Sequence, residues 1–170
     1  EPEPMSRAIK LVGVINYKGI YKMKRVLILG MDGYIGWSLA NHLLTEGFEV
    51  AGLDNLSRRE RVEDLGSNSL TPIKSHDERN YLLGMNKHFI GSYSICDLHD
   101  YYFYIKKLLE QIKPDVIIHL AEQPSAAWSM MSNHHAVETQ HENVIGTLNL
   151  LWAMKEVCPD AHLIKLGTMG

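Results

Sequence analysis

Residues 25–36 read RVLILGMDGYIG, and the fold turns on how that stretch is parsed. Arg25–Gly30 is an apolar run without polar alternation, which predicts a strand buried on both faces, as in a parallel sheet. From Tyr34 the period lengthens. Ile35, Leu39, His42, Leu43 and Glu46 recur at three- and four-residue steps, which predicts a helix over Tyr34–Glu46 that stops at Gly47. Between strand and helix lies Gly30-Met31-Asp32-Gly33-Tyr34-Ile35-Gly36. A turn at that place offers an anion the free N–H groups and the positive dipole end of the helix. Its glycines serve a tight turn, close backbone approach to a diphosphate, and packing of helix on strand. The competing reading is a structural turn that collects glycine. The setting between strand and helix favours a phosphate loop, with Gly30, Asp32, Gly33, Tyr34, Ile35 and Gly36 as cofactor contacts.

Outward from this unit, strand and helix keep alternating. Glu49–Leu53 (EVAGL) predicts a second strand, His88–Gly91 a third, Asp115–Leu120 (DVIIHL) a fourth and Ala161–Leu166 (AHLIKL) a fifth. Helices are predicted over His76–Leu83, over Leu98–Ile112 ended by Pro114, and from about Val137 to Val157. Residues 56–72 carry charges, Gly, Asn and Ser without period and read as a long loop, a length often kept for function. The expectation is a parallel, doubly wound α/β sheet with right-handed crossovers.

Asp54 follows the second strand where an acid meets the adenosine ribose. A carboxylate there accepts from both ribose hydroxyls and repels a 2′-phosphate, which favours NAD over NADP; a turn-capping aspartate is the plainer alternative. For Arg58, Arg59 and Arg61 two readings stay open, a counter-charge to phosphate and a solvated loop face.

Composition narrows the classes. The chain has 170 residues, 45% hydrophobic and 22% charged, with net charge -3. That is enough for one domain with a core and not basic enough for a nucleic-acid surface. No apolar run approaches the roughly 20 residues of a membrane span. Cys96 and Cys158 lack metal-type spacing and read as reduced core thiols. Residues 1–22 read as a tail resembling neither a secretory signal nor a transit peptide, leaving 23–170 as the dinucleotide-binding domain. The absence of a clear targeting segment points to the cytoplasm, with a plastid as the alternative.

The motifs GMDGYIGW, LDNLSRR (53–59), SLTPI (69–73), EQPSAAWSM (122–130), TQHENVIGTLNL (139–150) and KLGTMG (165–170) resemble the UDP-sulfoquinovose synthases, extended short-chain dehydrogenases/reductases of the NAD-dependent epimerase/dehydratase superfamily. The resemblance spans about residues 24–170 and implies a Rossmann-type sheet. It also implies bound NAD that oxidises the 4-hydroxyl of UDP-glucose, loss of water across C5 and C6, addition of sulfite, and return of the hydride. Thr168 matches the catalytic threonine that hydrogen-bonds the sugar 4-oxygen; read alone, it is a strand-end hydroxyl satisfying backbone. Asp32 and Gly33 match the pyrophosphate loop, Asp54, Asn55 and Arg58 the adenosine contacts, and Ile95 a residue flanking the adenine. Ala121, Glu122 and Gln123 match the nicotinamide side, with Glu122 open between general base and backbone partner. Ser125 and Ser129 lie where the substrate loop runs, or cap the following helix.

Three positions depart from the pattern. Ser94 stands for an aspartate facing the adenine amine, Pro124 for an arginine reaching cofactor and substrate, and Glu142 for an asparagine. Pro124 removes a fork of donors near the anionic partners. The family's tyrosine–lysine pair is expected beyond Gly170, so the chain alone is expected to bind NAD weakly or modestly and to turn nothing over. Tyr102 and Lys106 have the pair's spacing on the wrong helix. The resemblance also implies a homodimer.

The remaining candidates read as structural. His134 and His141 would sit two turns apart on a helix, roughly 10 Å, too far for one ion. No metal is expected. His119 reads as a satisfied core histidine, and Tyr101–Tyr104 (YYFY) as core packing and dimer surface.

Overall fold

The protein is described here by a computed structural model covering residues 24–91 and 94–167; the readings of residues 1–22 and of Thr168 lie outside the described residues. Five strands, β1 (Arg25–Leu29), β2 (Glu49–Asp54), β3 (Ser94–Ile95), β4 (Val116–His119) and β5 (His162–Lys165), form one sheet. Its order is β3-β2-β1-β4-β5, and each neighbouring pair is parallel. The chain steps outward from β1 through β2 to β3, then crosses back to β4 on the other side of β1. A crevice opens at that reversal, outside the carboxyl ends of β1 and β4.

Successive residues of β1 serve opposite layers, as period two requires. Leu27 and Leu29 join Leu53 and Ile117 in a core with Ile105, Leu109 and Ile112 of α4 (Tyr102–Ile112) and Leu150, Ala153 and Met154 of α7 (Gly146–Val157). Val26 and Ile28 join Val50 and Ile118 in a second core with Ala40, Leu43 and Leu44 of α1 (Tyr34–Thr45) and Leu83 of α3 (His76–Gly84). Burial on both faces accounts for the unbroken apolar runs. Among the described residues no helix is long and apolar enough to cross a membrane.

The structure corrects four sequence boundaries. Part of the expected loop is a helix, α2 (Ser57–Asp64), entered through Leu56 at φ 63. Its sequence SRRERVED has no apolar stripe because what it buries is Arg61. The predicted third strand touches β2 only through the bridge Val50–Phe89, and pairing resumes at Ser94–Ile95 against Leu53 and Asp54. Residues 98–101 precede α4 instead of opening it. The predicted 137–157 helix is divided: α6 (Asn133–Gln140) runs into a π-helical turn at His141–Ile145 and then α7, with a short α5 (Ala126–Ser129) before them. Gly146 opens α7 where a Cβ would come within 3.1 Å of the Leu98 Cβ.

Candidate functional site

The turn from β1 into α1 is set by two glycines. Gly30 adopts φ +81, and a Cβ there would lie 2.7 Å from the Ala121 nitrogen. The turn therefore presses against the backbone leaving β4, which a side chain would prevent. At Gly36 a Cβ would stand 2.1 Å from the Gly30 carbonyl oxygen. The Gly30 N–H donates to the Leu53 carbonyl at 2.8 Å and that of Met31 at 3.2 Å, tying the turn to the end of β2. No side chain caps α1, whose N-cap is Gly33. Its first-turn N–H groups thus face the crevice as donors.

Asp54, 9% exposed at the end of β2, receives the Asp32 N–H on Oδ2 at 2.8 Å and the Leu56 N–H on Oδ1 at 2.7 Å. Each oxygen keeps acceptor capacity, since a carboxylate has about four lone-pair sites. Burial pushes this carboxyl above the usual range, and the two N–H donors oppose the rise. The Asp32 carboxylate is engaged by two guanidiniums. Arg59 of α2 grips it in a fork, Nε to Oδ2 at 2.7 Å and Nη2 to Oδ1 at 2.8 Å. Arg79 of α3 donates to its Oδ1 at 2.8 Å and to its carbonyl at 2.7 Å, and lies 4.4 Å over the Trp37 ring. Arg59 is thus neither a solvated face nor a free counter-charge. Arg61 is buried: it donates twice to Glu142, and to Glu138 at 3.0 Å, and sits 4.2 Å over Trp128. Arg58 remains exposed and lines the cleft.

The cleft has a volume of about 420 Å³. It brings together Gly30, Asp32, Gly33, Tyr34, Ile35, Gly36, Asp54, Asn55, Arg58, Ala121 and Glu122 of the sequence-predicted set. With the other lining residues, six stretches separated in sequence meet there, five of them at the carboxyl ends of the strands. Ile95, 58% exposed, lies in β3 beside Asp54 and is not among the lining residues. Ser94 is placed by its backbone in β3. Gln123 is buried, its amide bonded to Ser125 and its backbone to Asn143. Ser125 caps α5 through its hydroxyl, accepting from the Trp128 N–H. Glu122 is ion-paired with Lys165 of β5.

Sequence reasoning missed Cys96–His99, Leu166, Gly167 and Glu142 as lining residues. Cys96, Asp97 and Leu98 follow the misplaced third strand, so no position in the sequence marked them as facing the crevice. Asn55 reaches across and donates to Asp97. The Cys96 thiol is pushed up to about 11 by burial, with Asp97 and Asp100 adding to the rise. Both cysteines are free and half-buried.

His119 ends β4 fully buried. Its Nε2 lies 3.1 Å from the Thr147 hydroxyl, while Nδ1 has no partner among the described residues, so within them the core histidine is only half satisfied. Its pKa is lowered to about 4, by burial first and by Lys165 second. His135 packs edge-on to Trp128, centroids 4.6 Å apart, and His141 edge-on to His99 at 5.9 Å. Of YYFY, Phe103 is 82% exposed, and Tyr101 and Tyr104 are exposed too; only Tyr102 packs against the core. Its Lys106 neighbour pairs with Glu156 at 2.7 Å outside the cleft.

The profile of the NAD dependent epimerase/dehydratase family matches residues 26–170. The chain is 42% identical over 149 residues to UDP-sulfoquinovose synthase of Sulfolobus acidocaldarius, covering 86% of this chain and 37% of that protein. It is 43% identical over 150 residues to the chloroplastic UDP-sulfoquinovose synthase of Spinacia oleracea, covering 86% of this chain and 30% of that one. It spans about a third of the length of these relatives. A solved structure of the Thermus thermophilus UDP-glucose 4-epimerase complexed with NAD is similar at TM-score 0.54 and 27% identity, covering 78% of this chain and 34% of that one. The Campylobacter jejuni UDP-Glc/GlcNAc 4-epimerase is similar at TM-score 0.63 and 25% identity, covering 84% and 36%.

Proposed function

The chain belongs to the NAD dependent epimerase/dehydratase family, and from that premise we propose that it supplies the NAD site of a nucleotide-sugar enzyme resembling UDP-sulfoquinovose synthase. The observation that carries the reading is the pairing across one cleft of an uncapped helix N-terminus at Gly33 with the Asp54 carboxylate, whose two oxygens each hold one backbone N–H and keep room for another donor. The first suits a diphosphate and the second a ribose diol. The residues fit the group: Gly30 and Gly36 let the turn pack against neighbouring backbone as no Cβ would allow, and Gly33 as N-cap leaves the first-turn N–H groups of α1 without a side-chain cap.

In this reading the N–H groups of Tyr34 and Ile35 bind the diphosphate, and Asp54 orients the adenosine ribose and disfavours a 2′-phosphate. Asn55, Arg58, Ser94 and Ile95 serve the adenosine side. Ala121, Glu122 and Gln123 serve the nicotinamide side. Thr168 and Ser125 meet the sugar. Bound NAD supplies the acceptor and donor of hydride. UDP-glucose and sulfite are the proposed substrates of the whole protein, by likeness to the named relatives. Pro124 lines the cleft where the synthase pattern has an arginine, so sulfite-independent epimerisation or dehydration of a nucleotide sugar is the second reading.

Calorimetric titration of the chain with NAD⁺ tests the cofactor assignment. Saturable heat supports it; no heat from folded protein overturns it. UDP-glucose consumption by the whole protein that requires sulfite supports the synthase reading, and consumption without sulfite supports the second. A homodimer through α4 and α7 completes the proposal, supported by exposed Phe103, Leu148, Leu151 and Trp152 on those helices. Sedimentation of a monomer at micromolar concentration would overturn it.

A further inference from the structure

Asp32 and Asp54 line the cleft, and Arg59 and Arg79 cluster on the Asp32 carboxylate, beside the place of a ribose 2′-substituent in the NAD reading above, on which this inference rests. The Asp32 N–H to Asp54 Oδ2 bond of 2.8 Å sets these residues side by side. Arg59, five residues past Asp54, holds the Asp32 carboxylate at 2.7 and 2.8 Å, and its Nη2 also donates to the Lys74 carbonyl at 2.9 Å. Arg79 donates to the same carboxylate. The charges of Asp32, Asp54, Arg59 and Arg79 cancel. A guanidinium fork fits a phosphate as well as it fits a carboxylate, and an arginine near this position is how related folds accommodate a 2′-phosphate. Arg59 is close enough that its charge lowers the Asp54 carboxyl pKa while Asp32 raises it.

We infer that Asp32 is a positioning residue for cofactor choice: its two-point ion pair withholds the Arg59 guanidinium from a ribose 2′-phosphate, leaving Asp54 to decide at that position in favour of NAD. The phosphate turn thus discriminates through a side chain whose carboxylate is engaged by Arg59 and Arg79. Neutralising Asp32 leaves the four-residue group with one net positive charge and removes the two-point ion pair that holds Arg59.

The test is the ratio of the Kd for NADP⁺ to that for NAD⁺, by calorimetry on the chain and its variants. In Asp32→Asn the ratio falls roughly tenfold. Asp32→Glu, which keeps the charge, leaves it unmoved. Asp32→Asn with Arg59→Ala restores the starting ratio. An unmoved ratio in folded Asp32→Asn, or a fall that survives Arg59→Ala, overturns the inference. Should Asp32→Asn fail to fold, Arg59→Ala alone decides. The inference expects NADP⁺ affinity within about twofold of the parent chain; a tenfold loss means that Arg59 already serves the 2′-phosphate and overturns it. Absence of heat with both nucleotides defeats the NAD reading, while heat with NAD⁺ and an unmoved ratio defeats this inference alone.

Discussion

Arg61 and Glu142 form a buried two-point ion pair across 81 residues of sequence. The pair joins α2 to the π-helical turn, and both elements contribute lining residues to the cleft. Arg61 also bonds Glu138 and lies over Trp128, whose ring N–H donates to Asp64 of α2 at 3.2 Å. A helix with no apolar stripe is thereby held to the fold by Arg61 with Glu142, Glu138 and Trp128, by Asp64 on the Trp128 ring N–H, and by Arg59 on Asp32. The position that departs from the synthase pattern, Glu142, is the main anchor.

Truncating one member strands the other. Arg61→Ala leaves the Glu142 carboxylate buried without its counter-charge, a cost of about 3–5 kcal/mol. At roughly 2–4 °C per kcal/mol for a chain of this size, the thermal midpoint should fall by about 10 °C. The double replacement Arg61→Met with Glu142→Leu should recover most of that loss, because buried pairs exchange well for apolar side chains. Calorimetric melting of the three variants checks both. A double variant as unstable as Arg61→Ala would mean that the pair contributes net stability beyond removing its own burial cost.

Gly36→Ala separates the steric demand of the phosphate turn from helix propensity. Its Cβ would meet the Gly30 carbonyl oxygen at 2.1 Å, a backbone atom that cannot swing away. Overpacking of this kind costs about 1–3 kcal/mol, and the displaced turn should weaken NAD⁺ binding by at least roughly tenfold. Gly84→Ala, at the end of α3 with nothing within 4 Å, is the control. It should be neutral or stabilising by up to about 1 kcal/mol, with binding unchanged. Equal losses from the two substitutions would contradict the steric account.

Asp54→Asn keeps shape and changes chemistry. The carboxylate receives two backbone N–H groups, one on each oxygen. An amide offers one oxygen, so its NH₂ must face a donor, and one buried N–H goes unmet at about 1–3 kcal/mol. Loss of a charged acceptor for a ribose diol should weaken NAD⁺ by roughly ten- to a hundredfold. Titration calorimetry and melting read the two effects separately. Unaltered NAD⁺ affinity in a folded variant would remove Asp54 from the site.

These contrasts also mark what was legible in the sequence. The turn at Gly30–Gly36 and Asp54 could be read because each rule there is local: a buried strand, a helix period, and fixed spacing between them. Strands β1, β2 and β4 were legible because burial on both faces leaves an apolar run, and β5, half-buried at the sheet edge, through Leu163 and Ile164. Helix α2 was not, since periodicity registers apolar contacts and its anchor is Arg61, paired with residues about 80 positions away. Strand β3 was misplaced because two residues are too short for a period to register. Arg59 and Arg61 looked alike in the sequence, and only their partners, Asp32 and Glu142, separate them.

His119 makes stability depend on pH in a definite direction. Its ring is fully buried, and its folded pKa of about 4 lies below the ordinary value of 6.5. The folded state therefore holds the neutral ring, while the unfolded chain takes up a proton as pH falls through about 6.5. Below that point the unfolded state binds more protons, so stability declines as pH drops toward about 4 and levels off once the folded ring is protonated too. The full span is about 3 kcal/mol. Above pH of roughly 7 the contribution is constant. His119→Gln, which keeps a polar partner for Thr147 without titrating in this window, should flatten the decline between pH 6.5 and 4. Urea unfolding at a series of pH values measures this; a variant with the same slope as the parent would assign the acid sensitivity to other groups.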